Sequence, residues 1–165
     1  YPLADALPAE GATLTVAPGV KWIRMALPFV LNHINLWLLR DELDGVAGWT
    51  VVDCCISTDA AKQQWEQVFA NELDGLPIVR VIVTHMHPDH IGLADWLCQR
   101  WNARLWISAT DYGMARTGRS VVLDLRQQIL DKFLLIDLSG FFFIFNSILD
   151  RHFRFFKLQI LIKLF

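Results

Sequence analysis

The chain carries no excess of basic charge. Its 15 Lys and Arg face 17 Asp and Glu, a formal net charge of -2. It therefore offers no basic stripe for a phosphate backbone, and nucleic acid is not an expected partner. Cysteine is scarce: Cys54, Cys55 and Cys98, two of them adjacent. An odd count with an adjacent pair is a poor disulfide framework, so a reducing cytoplasm is the expected compartment. No Gly-x-Gly-x-x-Gly, no P-loop and no serine-centred elbow occurs, nor any repeat of fixed period. No basic segment followed by an apolar run opens the chain. It starts on Tyr1 rather than Met, so that start is not read as a true amino terminus.

Other absences depend on position. All seven Trp lie between Trp22 and Trp106, no Pro follows Pro88 and no Ala follows Ala115, while nine of the eleven Phe lie between Phe133 and Phe165. One domain rarely changes vocabulary so abruptly. The expected organisation is a loose Pro/Ala-rich arm over 1–12, a domain over 13–131, and a Phe/Leu/Ile-rich tail over 132–165 that is not its native continuation. An alternative makes Phe133 to Leu149 a membrane span flanked by Arg151, Arg154 and Lys157. Asp137 within it costs about 2.5–3.5 kcal/mol on insertion scales, so a membrane partner is not expected. Oligomeric state is left open.

Between arm and tail, the patterning changes from period 2 to period 3.6. Two short apolar runs between Thr13 and Leu27, broken at Pro18-Gly19, predict a hairpin. Leu31 to Leu39 predicts a strand with Ile34, Leu36 and Leu38 on one side and His33, Asn35 and Trp37 on the other. Asp44-Gly45 and Gly48 mark a turn before a strand over Trp49 to Asp53. A helix capped by Ser57 or Thr58 follows, with Ala61, Trp65, Val68 and Phe69 on one face. After Gly75-Leu76-Pro77 come a β-branched strand over Val79 to Thr84, a helix from Asp89 to Trp101, a strand at Leu105 to Ile107, and a helix over Ser120 to Leu130. An antiparallel start followed by strand–helix alternation predicts an α/β domain with a mixed sheet and flanking helices.

The densest chemistry is Thr84-His85-Met86-His87-Pro88-Asp89-His90, three imidazoles and a carboxylate directly after a strand. Zinc favours imidazole nitrogen and carboxylate oxygen, and a turning loop can aim His85 and His87 at one ion. Asp89 and His90, at the start of the next helix, can reach a second ion. Two ions so placed activate a water and clamp substrate oxygens. Asp89 is the candidate catalytic group, orienting that water. The donor set also admits iron or manganese. A polar surface loop that happens to contain histidines is the alternative.

His-x-His-x-Asp-His after a Val-rich strand resembles the signature of the metallo-β-lactamase-fold hydrolases. Asn32 to Leu39, Trp49 to Asp53 and Gly92 to Leu97 are similar to the glyoxalase-II-like branch, and the resemblance covers about Gly19 to Ala115. It implies an αβ/βα sandwich of which only the first αβ half is present. His85 and His87 would ligate a first zinc, Asp89 and His90 a second, and Asp53 would support them from behind. The implied chemistry is water attack on an ester, thioester, lactone, β-lactam or phosphodiester of a small-molecule substrate.

Two departures stand out. Cys55 replaces the glycine of the family's usual Asp-x-Gly; a zinc-ligand role is weighed against a small buried apolar residue, and the latter is preferred. The third histidine, bridging Asp and final His expected downstream have no clear counterpart, His152 being crowded by aromatics and without a nearby glycine. A non-catalytic truncated fragment with a partial metal site is therefore the second functional reading. His33 and Asn35 could border the site, but hydrogen bonds to neighbouring backbone are the preferred reading; Cys98 and the Trp residues read as core, and Arg116, Arg119 and Arg126 read as a solvated helix face.

Overall fold

The structure, a computed structural model, describes residue 3, residues 5–117 and the backbone of residues 134–136. The expected helix over Ser120 to Leu130, together with Arg119, Arg126, His152 and all of the tail except Leu134–Ile136, lies outside the described residues.

One seven-stranded sheet organises the rest, in the order β1-β2-β3-β4-β5-β6-β7. Strands β1 (Leu14–Ala17), β2 (Val20–Ala26), β3 (His33–Leu43) and β4 (Val46–Val52) form an antiparallel meander. Strands β5 (Ile78–Ile82), β6 (Arg104–Ser108) and β7 (Leu134–Ile136) add in parallel. The switch of direction follows from the connections. Short turns such as Asp44-Gly45 join antiparallel neighbours, whereas β4 to β5 and β5 to β6 are joined through helices. The mixed sheet with flanking helices is therefore as expected.

Helix α1 (Asp59–Asn71) starts where Thr58 accepts the Ala61 N–H, the capping role foreseen at Ser57-Thr58. It buries Ala61, Trp65 and Val68 against Ile23, Met25, Leu36, Leu38 and Val51 on one sheet face. Helix α3 (Ala94–Trp101) adds Ala94 and Leu97 to the same core. Trp65 also donates its indole N–H to the Cys54 carbonyl at 2.9 Å, which ties α1 to the end of β4. The other sheet face carries a smaller cluster of Val20, Trp22, Trp37, Leu39, Val52, Ile82 and Trp106. The alternation predicted for β3 thus holds, Ile34, Leu36 and Leu38 opposing Trp37 and Leu39.

Three expectations are corrected. Gly48 lies inside β4 opposite Asp41, not in the turn. A Cβ there would meet the Pro77 carbonyl oxygen and Val79 at 2.5 Å, so the glycine admits the start of β5. The helix expected over Asp89 to Trp101 is two helices, α2 (Pro88–Ile91) and α3, parted at Gly92-Leu93. The break arises because the Leu93 N–H leaves the helical ladder to bond the Cys55 carbonyl at 3.2 Å. Finally α4 (Ala109–Thr117) occurs where no helix was expected.

The Gly92 backbone approaches so closely that a Cβ would lie 2.5 Å from Pro88 O, 2.7 Å from Ser57 N and 2.8 Å from Cys55 O. All three are backbone atoms, which cannot swing aside as a side chain can. Gly92→Ala is expected to cost about 2–3 kcal/mol by overpacking. A urea midpoint unchanged from the parent would contradict this contact.

Candidate metal centre

The site forms at the edge of the sheet where β4 and β5 end. Asp53, the first residue after β4, donates its N–H to the Ile82 carbonyl at 2.8 Å and adopts φ 62°. Cys55 follows at φ 69°. Two non-glycine residues in the left-handed region turn the chain sharply out of the sheet, each at a cost of roughly 1 kcal/mol. The glycine usual in the resembled family would adopt the Cys55 conformation without that cost.

The turn aims the Asp53 carboxylate into the histidine loop. Asp53 is 2% exposed, yet four contacts satisfy it. The Thr84 N–H donates to Oδ1 at 2.8 Å, and the Thr84 hydroxyl lies 3.0 and 2.9 Å from Oδ1 and Oδ2. His90 Nδ1 lies 2.8 Å from Oδ2. A carboxylate only accepts, so His90 Nδ1–H is the donor and Nε2 carries the lone pair. Burial alone would lower the His90 pKa, but the Asp53 hydrogen bond and the charges of Asp53 and Asp89 outweigh it and hold the ring above 6.5.

The same reasoning sets the neighbouring rings. With its proton on Asp53, the Thr84 hydroxyl accepts from His85 Nδ1 at 3.1 Å, leaving His85 Nε2 as an acceptor. That nitrogen faces His87 Nδ1 at 2.9 Å. The His85 ring also packs against His90, centroids 3.9 Å apart and planes tilted by 46°. Burial and the adjacent His90 and His87 rings hold His85 below 6.5. Asp89 Oδ2 lies 3.5 Å from His90 Nε2.

This arrangement fits a metal in its donor chemistry. Two nitrogens on one tetrahedral ion at 2.0–2.1 Å stand about 3.3 Å apart, close to the His85–His87 spacing. The carboxylate behind His90 is the usual outer partner of a metal-bound imidazole. Among the described residues, however, no three His, Cys, Asp or Glu side chains form a group that could hold an ion. The structure brings the predicted residues together in pairs.

The metallo-beta-lactamase superfamily model matches residues 31–158. The chain belongs to this superfamily. A beta-lactamase domain protein from Burkholderia ambifaria is 61% identical with a TM-score of 0.69, the similarity covering 70% of this chain and 36% of that one. A metallo-beta-lactamase family protein from Thermus thermophilus is 25% identical at a TM-score of 0.51, over 64% and 35% of the two chains. The chain thus spans about a third of the length of either relative. No curated protein matches. The superfamily is generally hydrolytic and metal-binding, so the resemblance read from the histidine run holds at that level.

In this metallo-beta-lactamase superfamily chain, one supporting group escaped sequence reasoning. Asp111 on α4 accepts the Met86 N–H at 3.2 Å, holding the loop between His85 and His87. Its other oxygen accepts the Ser108 hydroxyl, and Ser108 in turn accepts the Asp111 N–H at 3.0 Å. Ser108-Ala-Thr-Asp111 resembles a capping box, and that spacing was the available signal. Cys54 and Cys55 are fully buried in the helical-side core. Burial pushes the Cys55 thiol up to about 11, a neutral group packed as a small apolar side chain. His33 and Asn35 bond side chains rather than backbone, as described below. No helix among the described residues is long and apolar enough to cross a membrane.

Proposed function

We propose that this chain carries the metal-binding part of a metal-dependent hydrolase, glyoxalase-II-like within its superfamily, acting on an ester, thioester, lactone or related bond of a small molecule. The observation that carries the reading is the Asp53 hub. One buried carboxylate fixes His90 directly and His85 through Thr84, which leaves a lone pair on Nε2 of each ring. Packing alone gives no reason to spend a buried carboxylate on orienting imidazoles.

His85, His87, Asp89 and His90 would hold the metal, with zinc the expected ion, two in a complete site. A bound ion supplies Lewis-acid activation of a water at neutral pH. The chain's own residues do the rest. Asp53 and Thr84 select the tautomers of His90 and His85. His87 would hold the ion through Nδ1 as its Nε2–H tautomer, the proton now between Nδ1 and His85 passing to Nε2 by exchange with water. Asp89, with 21% of its side chain exposed, would orient the attacking water.

Two zinc per chain by metal analysis, and turnover of a thioester and lactone panel that chelators abolish, are the expected results. His87→Ala should lower turnover by at least about 100-fold with the far-UV spectrum unchanged. Chelator-insensitive hydrolysis would contradict the proposal. Easily stripped, sub-stoichiometric zinc without turnover would favour the second reading, a non-catalytic fragment with a partial site. That reading is compatible with the donor group's being incomplete among the described residues.

A further inference from the structure

The β2–β3 hairpin presents a second cluster at the same sheet edge. Arg24 and Asn35 are register partners, as are Ala26 and His33, so Arg24, Asn35 and His33 project from one face. It is the face that carries Trp22 and Trp37. Trp37 pairs with Val52, the residue before Asp53. Asn35 therefore stands two residues along β3 from the start of the metal-site turn.

The hydrogen bonds orient Asn35 as a donor beside Arg24. Trp22 Nε1–H donates to Asn35 Oδ1 at 2.9 Å, which leaves the Asn35 amide NH2 to donate elsewhere. His33 Nδ1–H donates to Asn32 Oδ1 at 2.8 Å, so its Nε2 carries the lone pair and is an acceptor, not a donor toward an anion. Arg24 is half-buried, and no carboxylate among the described residues forms an ion pair with it. Its charge lowers the His33 pKa in addition to burial, which places the two side chains within electrostatic reach. By contrast Arg80, Arg100 and Arg104 each hold a carboxylate. A guanidinium left without a counter-ion, beside an oriented amide donor, is a fork for a carboxylate.

We propose that Arg24, with the Asn35 amide beside it, anchors a free carboxylate on the substrate, so that the preferred substrate is an ester or thioester bearing a second, ionised carboxyl group. This rests on the hydrolase reading for the word substrate, and on the hairpin alone for the anion. Three strand spacings separate β2 from β5, about 14 Å, and the long Arg24 side chain spans part of that. The scissile bond and the anchored carboxylate would thus be separated by a chain of several atoms.

The test needs neither metal nor turnover. The Trp22 indole N–H resonance, assigned with Trp22→Phe, is followed by NMR while monomethyl succinate or neutral dimethyl succinate is added to the full chain at constant ionic strength. A saturable shift with the monoester alone is expected, weakened roughly tenfold or more in Arg24→Met, the loss of one charge-assisted pair. Arg24→Gln, closer in shape, serves if the Met variant does not fold, with the same expected loss. No shift, an equal shift with the diester, or undiminished affinity in the variants would overturn the proposal. Absence of hydrolysis alongside a monoester-specific shift would sink the hydrolase reading and leave the anion site standing.

Discussion

Asp53→Ala is expected to unsettle both the fold and the metal centre. The substitution strips His90 Nδ1, the Thr84 N–H and the Thr84 hydroxyl of their common acceptor at a site 2% exposed. Each buried donor left without a partner costs about 1–3 kcal/mol. Water entering at the half-buried His90 would recover part of this, so a net loss of about 3 kcal/mol is expected by urea denaturation. Zinc affinity should fall by roughly 10- to 100-fold, the usual effect of removing an outer carboxylate. Asp53→Asn isolates the charge. It keeps the shape, but should lower the His90 titration toward or below 6.5, because the bond and charge that raise it are weakened. The sign for stability follows. A group raised on folding contributes fully below 6.5, and the contribution is lost as pH rises through the folded value. The metal-free parent should therefore lose the His90–Asp53 contribution above pH 6.5, and Asp53→Asn should show a flatter profile there. His85, held low, acts in the opposite sense below 6.5 and must be separated by following each ring's own NMR titration.

Asp41→Ala is expected to be the most damaging change far from the site. Asp41 Oδ2 accepts Arg80 at 3.0 Å and the Thr50 hydroxyl at 2.6 Å, and the Arg80 and Asp41 side chains are only 7% and 8% exposed. Arg80 also lies 4.0 Å over the Trp106 ring. Burial lowers the Arg80 pKa and the Asp41 charge opposes this, so removing Asp41 leaves a buried cation with no partner beyond the more distant Asp44. Breaking a buried pair from one side costs about 3–5 kcal/mol. Adding Arg80→Met should restore much of the loss, because a matched apolar pair is often as stable as the ion pair. A single-variant loss under about 1 kcal/mol, or a double variant no better than the single, would show that the pair is not energetically coupled.

What was legible in the sequence was what depends on local pattern. Period-2 alternation placed β3 and its two faces, the Thr58 cap and apolar spacing placed α1, and the density of His85, His87, Asp89 and His90 pointed to the loop now proposed as the site. The Cys55 anomaly was legible too, since a residue replacing glycine at a sharp turn does adopt φ 69°. What escaped depends on distant backbone approach. The helical pattern from Asp89 to Trp101 continues through Gly92-Leu93, and only the Cys55 carbonyl, far back in the chain, reveals why the helix breaks there. Gly48 looked like a turn residue because nothing local announces Val79 beside it. Asp111 was missed because its partner, the Met86 N–H, lies on another element, although the Ser108 spacing hinted at the helix start.

The central claim is that the imidazoles oriented by Asp53 are metal ligands. Zinc added to the full chain, with the histidine ring nitrogens followed by long-range 1H–15N NMR, tests it directly. The account predicts that His85 Nε2, His87 Nδ1 and His90 Nε2 shift together and saturate at stoichiometric zinc, while His33 stays put. Unchanged rings at His85 and His87, or an equal response at His33, would contradict it.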